Sequence, residues 1–254
     1  MQRMKNKRIV ITGGAGEIAG ALVLKCINEG GSVHLVDIDE EGLHKRLQKF
    51  GEDRMSYTVA DVSDAENTKM YVKEAKARWG GIDVFFDNAG IEGNVKPLIE
   101  TSEEEWDELM GINLRGMWLG LKHAAPVMIE GGGGAIVMTS SVAGLGGFPG
   151  LGPYVTSKHA VIGLMRTAAL ELAGQGIRVN TVNPSPVNTR MMRSIESGVG
   201  NQQQTQQKFE SMIPLQRYSE TSETADLMFY LATDEASFLT GGVYVVDGGM
   251  TASA

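Results

Sequence analysis

The chain has 254 residues, a formal charge of −8, a single cysteine and 33 glycines, roughly twice the usual glycine share. Its 42% hydrophobic and 21% charged residues are those of a globular chain long enough to bury a large core, which excludes disorder. The glycines follow no Gly-X-Y period, which excludes collagen, and the net acidic balance argues against a nucleic-acid backbone as partner.

The lone Cys26 can form neither an internal disulfide nor a cysteine metal cluster, so the reading is a cytoplasmic protein with no metal site. Arg3, Lys5, Lys7 and Arg8 precede an apolar stretch that is interrupted by Gly13, Gly14, Gly16 and Glu17, which is not a secretory leader. No apolar run is long enough to span a membrane.

Strand-like runs fall at 8–12, 32–37, 55–60, 82–87, 135–140, 177–182 and 243–247. Between them the helical period appears at 17–29, 39–49, 64–79, 102–129 (broken between Gly111 and Gly120), 152–173 and 221–232. The strand cores are continuous apolar runs, as expected when helices cover both faces of a parallel sheet. The reading is an α/β fold, a Rossmann-type doubly wound sheet of seven parallel strands with helices on both faces. One domain over 1–254 is expected, with a substrate lid at about 185–220. The stretch 184–220 reads as irregular, and NQQQTQQ (201–207) within it reads as the polar face of a mobile lid.

In such sheets ligands bind beyond the carboxyl ends of the strands. The first strand runs into TGGAGEIAG (12–20) and a helix, and Asp37 ends the second strand about twenty residues after Gly16. A glycine turn lets backbone N–H groups approach a pyrophosphate at a helix N-terminus, and the later acid accepts hydrogen bonds from an adenosine ribose. Gly13, Gly16, Glu17, Ile18, Asp37 and Ile38 are therefore candidate dinucleotide contacts. Asp37 would repel a 2′-phosphate, and no Arg or Lys lies between it and Lys45, which favours NAD over NADP.

Tyr154 and Lys158 are four apart at the start of a helical stretch and share one face. Ser141 ends the fifth strand run on the same rim. An ammonium that stabilises the phenolate would turn a tyrosine of ordinary pKa near 10 into a useful acid/base close to neutrality.

TGGAGxI, Asp37, Asp61-Val62, DNAG (87–90), Asn113 in GINLRG, Ser141 in TSSVAG, YVTSK (154–158), VNPSPVNT (182–189) and TGGVYVVDGG (240–249) together resemble the compact, single-domain branch of the short-chain dehydrogenases/reductases over nearly the whole chain. The resemblance implies hydride transfer between a nicotinamide and a carbinol carbon, with Tyr154 as general acid/base. It implies that Lys158 holds the nicotinamide ribose and lowers the tyrosine pKa, that Ser141 orients the substrate oxygen, and that Asn113 supports a proton relay through water. Asp61 and Val62 would flank the adenine, Asn88, Ala89 and Gly90 would back the cofactor, and Val187 and Thr189, in the run that carries Pro184, would hold the carboxamide. A homotetramer is also implied, and the apolar residues around most of the 152–173 helix call for a subunit contact.

The sequence departs from the pattern at four positions. Glu17 and Ala19 stand where the compact branch has glycine, so the loop looks more like TGxxGxxG of the longer branch of epimerases and dehydratases. Ser185 stands where glycine is common, and Asp87 where the first Asn of NNAG is usual. Glu17 in a first helical turn suits the helix dipole if it points to solvent.

Substrate walls are expected from 91–98, 142–152 and 185–213, which supply Ile91, Val142, Leu145, Phe148, Leu151, Met191, Met192, Ile195 and Met212. This lining suits an uncharged or partly apolar secondary alcohol or ketone. Arg190 and Arg193 offer the rival of a bound carboxylate. Against the NAD-dependent alcohol dehydrogenase stand two other functions, a nucleotide-sugar epimerase or dehydratase and a catalytically idle NAD-sensing regulator.

Overall fold

The computed structural model describes residues 2–252. Seven strands, β1 (Arg8–Thr12), β2 (Ser32–Asp37), β3 (Met55–Val59), β4 (Val84–Asp87), β5 (Gly134–Thr139), β6 (Ile177–Pro184) and β7 (Val243–Val246), form one sheet in the order β3-β2-β1-β4-β5-β6-β7. Every neighbouring pair is parallel. All seven expected strands are present, and the fold is the Rossmann-type doubly wound sheet read from the sequence.

Successive residues of a strand point to opposite faces, and β1 shows the consequence. Ile9 and Ile11 pack with Leu22, Val23 and Phe229 from helices α1 (Glu17–Asn28) and α9 (Thr221–Ala232) on one face. On the other face Val10 packs with Tyr71, Met117 and Met165 from α3 (Ala65–Trp79), α5 (Met117–Glu130) and α6 (Gly152–Leu172). Helix α2 (Glu40–Phe50) starts at Asp39, whose carboxylate accepts from the Gly42 N–H.

Two regions differ from the sequence reading. The break expected near Gly111 is not an interruption of helix: α4 (Glu103–Met110) continues into α5 through one π-helical turn, Gly111–Gly116, which carries Asn113. The stretch read as irregular holds α7 (Arg190–Val199) and α8 (Gln202–Ser211). Thr189 caps α7 by accepting from the Met192 N–H, and Asn201 caps α8 by accepting from Gln204. The glutamine-rich run is thus helix rather than irregular chain, and Thr205 is the one buried residue of α8. No described helix is long and apolar enough to cross a membrane.

On α6, Val161, Ile162, Met165, Ala168 and Ala169 are buried, while Val155, Leu164 and Leu172 are half-buried and Leu170 is 84% exposed.

Phe229 is fully buried between α1 and the sheet, with the Arg3 guanidinium 4.7 Å from its ring centre. Phe229→Ala is expected to lower unfolding free energy by about 3–5 kcal/mol, read as a fall in the urea midpoint at unchanged slope.

Candidate active site

The order of strands reverses between β1 and β4, and at such a switch point the loops leaving the two strands separate and open a crevice. The cleft there has a volume of about 810 Å³. Its walls include every sequence-derived cofactor candidate: Gly13, Gly16, Glu17, Ile18, Asp37, Ile38, Asp61, Val62, Asn88, Ala89, Gly90, Pro184, Val187 and Thr189, along with Ser141, Tyr154 and Lys158.

The floor is held by one hydroxyl. Thr12 ends β1, and its Oγ1 accepts from the N–H groups of Asn88 (2.9 Å) and Ala89 (3.1 Å) and donates to Asp87 Oδ1 (3.1 Å). The Asn88 amide donates to the Thr12 carbonyl (3.2 Å), and its carbonyl accepts from the Thr139 hydroxyl (3.0 Å). Strands β1, β4 and β5 are thereby tied at the ends where the cleft opens. Gly13 has φ +67°, and a Cβ there would come within 3.0 Å of Ala89 Cα, so the first turn of the loop admits only glycine.

Gly16 offers α1 no side-chain cap, which leaves N–H donors of the first turn free for an anion. The Asp37 carboxylate accepts from the Ala15 N–H (3.0 Å) and the Asp39 N–H (3.1 Å) and fixes the loop against β2. Arg46 reaches over from α2, and its Nη2 donates to the carbonyls of Ala15 (3.2 Å) and Gly16 (2.8 Å). An uncapped helix start, a close-packed glycine turn and a carboxylate at the end of β2 fit an adenine dinucleotide.

On the far wall, the Ser140 hydroxyl is turned onto the Lys158 carbonyl (2.9 Å), so of the two serines Ser141 has its hydroxyl on the side of Tyr154. Ser141 Oγ accepts from the Ala143 N–H (3.1 Å) and donates to the Pro184 carbonyl (3.4 Å). Lys158 is 3% exposed; its Nζ donates to the Thr139 carbonyl (2.9 Å) and lies 5.6 Å from the Tyr154 ring centre.

Burial pushes the Tyr154 phenol up to about 12, against the opposing effect of the Ser141 hydroxyl. In this state burial sets the direction, contrary to the lowering by Lys158 that the resemblance implies. Burial also brings Lys158 down to about 8, with Asp87 opposing, and raises Asp87 to about 8, with Thr12 and Lys158 opposing. The departure at Asp87 thus places a second buried ionisable group behind the site, and its Oδ2 has no hydrogen-bond partner among the described residues.

Asn113 is absent from the cleft wall. It is fully buried behind Gly90, accepts from the Ile91 N–H (2.8 Å), and donates to the Ile91 carbonyl (2.8 Å) and Ser157 Oγ (3.2 Å). Arg193 is committed internally: its guanidinium grips the fully buried Glu196 carboxylate (2.9 and 3.1 Å) and donates to Asn188. It is therefore not free to hold a substrate carboxylate.

Of the expected substrate walls, Ile91, Val142, Phe148, Leu151, Met191, Met192 and Ile195 line the cleft, whereas Leu145 and Met212 lie on the surface. Phe209, inside the expected stretch 185–213 but not singled out, and Met250, outside the expected stretches, line it as well. Met250 follows two glycines of positive φ, Gly248 and Gly249, that fold the chain back after β7. The VDGG turn is the signal that could have located it.

The chain belongs to the short-chain dehydrogenase/reductase family. A family profile described as enoyl-(acyl carrier protein) reductase matches residues 13–251. The chain is 35% identical to levodione reductase of Leifsonia aquatica over 99% of its own length and 96% of that protein. Identity is 33% to cyclohexanol dehydrogenase of Acinetobacter sp. (strain SE19), over 98% of this chain and 96% of that one. It is 37% to meso-2,3-butanediol dehydrogenase of Serratia marcescens, over 99% and 97%. The crystal structure of levodione reductase superposes with a TM-score of 0.95, covering 99% of this chain and 100% of that one. Oxidoreductases of this family use nicotinamide cofactors, and these relatives act on small alcohols and ketones.

Replacing Asn113 by Leu keeps the number of side-chain heavy atoms but leaves the N–H and C=O of Ile91 unpaired. A loss of about 2–4 kcal/mol in unfolding free energy is expected, measured by urea titration.

Proposed function

We propose that this protein is an NAD-dependent dehydrogenase/reductase that interconverts a largely apolar secondary alcohol and its ketone, with Tyr154 as general acid/base. The observation that carries the reading is the presence of Ser141, Tyr154 and Lys158 on one wall of the cleft whose other wall ends at Asp37. The nicotinamide supplies or accepts the hydride.

The residues have distinct tasks. In reduction the Tyr154 O–H gives its proton to the substrate oxygen, and in oxidation the phenolate takes it back. The Ser141 hydroxyl orients that oxygen. Lys158 has three N–H donors, and the Thr139 carbonyl is its one acceptor within hydrogen-bond distance among the described residues. Its remaining donors suit ribose hydroxyls, and its charge favours the phenolate over the phenol. Asp37 suits the adenosine ribose and disfavours a 2′-phosphate. Arg46, the nearest cation to the loop, is already held on two loop carbonyls.

Phe148, Leu151, Met191, Phe209 and Met250 support an apolar substrate, and the name of the relative cyclohexanol dehydrogenase supports one of six-membered-ring size. Between β6 and β7 the chain forms α7 and α8, which contribute to the wall of this cleft, and α9, which packs on the sheet. This supports one catalytic domain with a lid at 185–220 rather than the separate lobe of a nucleotide-sugar enzyme. The half-buried apolar residues and exposed Leu170 on α6 support an oligomer, for which a homotetramer is the family's expectation.

With cyclohexanol-type alcohols and their ketones, kcat/KM is expected to be at least about tenfold higher with the NAD pair than with the NADP pair; equal values would overturn the role of Asp37. Tyr154→Phe is expected to lower kcat by at least about a hundredfold while NADH still binds by fluorescence titration. Because the phenol is held up by burial, alcohol oxidation needs the scarce phenolate and should accelerate as pH rises from about 6 to 9, whereas ketone reduction uses the abundant phenol and should not.

A further inference from the structure

Glu17 opens α1 at a position where the resembling glycine pattern has no side chain, and its side chain, although exposed, is engaged by another part of the chain. Its Oε2 accepts a hydrogen bond of 2.7 Å from the backbone N–H of Arg190, a residue 173 positions later in the chain. Arg190 is the first residue of α7, so this N–H is one of the donors that a helix start cannot satisfy internally. Thr189 satisfies a second one at Met192, and the Glu17 carboxylate supplies the acceptor for the Arg190 N–H from the opposite wall of the cleft.

Two helix N-termini, those of α1 and α7, therefore face one carboxylate, each favouring its negative charge. Both Glu17 and Arg190 line the cleft, and the bond between them crosses from the glycine loop to the stretch 185–220. A free carboxylate beside the uncapped start of α1 would repel a pyrophosphate seated there. Held on α7, the same carboxylate is drawn away from α1 and its charge is offset by the second helix.

We propose that Glu17 is a positioning residue that clasps α7 to the glycine loop, so that seating of the cofactor's pyrophosphate and closure of the α7 segment over it are coupled. The clasp itself stands on the ligand-free geometry; its coupling to the cofactor rests on the dinucleotide reading above.

The contact can be cut from either side. Glu17→Ala removes the acceptor. Arg190→Pro removes the donor alone from the backbone, at the first helical position where proline is well tolerated. Thr189 before it is extended (φ −140°, ψ 164°), as a residue preceding proline must be. Arg190→Ala keeps the N–H and controls for the lost side chain.

Hydrogen exchange of the ligand-free protein is expected to run about three- to tenfold faster across 191–199 in Glu17→Ala and in Arg190→Pro. The double variant should be no faster than either alone, Glu17→Gln should recover part of the protection, and Arg190→Ala should exchange as wild type. NADH release, followed by fluorescence on displacement, should accelerate by a similar factor in the two clasp-cutting variants.

Wild-type exchange in Glu17→Ala, or additive effects in the double variant, would sink the clasp. Faster exchange with unchanged NADH release would sink the coupling. A wild-type protein that fails to bind NADH would refute the cofactor reading and the coupling with it, while the exchange measurement still decides the clasp.

Discussion

A parallel sheet has to bury both of its faces, because the crossovers that return the chain to the starting edge are themselves helices. In this chain that requirement sends every strand out of the sheet at the same rim. The rim is held in register by Thr12, whose single hydroxyl donates once to Asp87 and accepts twice from Asn88 and Ala89. Its full hydrogen-bonding capacity is used in joining β1 to β4 at the switch point. The crevice, the glycine loop and the wall carrying Ser141 all take their places from that junction.

The same burial sets the electrostatics. Lys158, Asp87 and Tyr154 sit where water is scarce, and burial shifts each toward its neutral form: the lysine down, the carboxyl and the phenol up. Lys158 and Asp87 partly restore each other's charge. In the ligand-free site the tyrosine is therefore held as the phenol.

Strands and most helices were legible because their apolar periods are long and strong, and the motif residues were legible because each follows a strand end. Helices α7 and α8 were not. On α7 Met192, Ile195 and Val199 keep helical spacing but over only ten residues, too short a run to stand out, and α8 is a run of glutamines with only Thr205 buried and carries no apolar stripe. Tertiary partners settled what spacing could not. Arg193 could equally have met a substrate or Glu196, Asn113 stands behind the wall rather than in it, and the capping role of Glu17 depends on a helix remote in sequence.

Asp37 illustrates how tightly recognition and architecture are joined here. Its carboxylate, which we propose meets the adenosine ribose, is also what holds the Ala15 and Asp39 N–H groups, and Arg46 is held on the carbonyls of the same loop. A lineage drifting toward the phosphorylated cofactor could not simply exchange the acid for a base. It would lose the tie that shapes the loop, and Arg46 is already committed to that loop, so a change of preference would have to rebuild the loop as well as the charge. On the proposed reading, cofactor choice is therefore bound up with the shape of the loop itself.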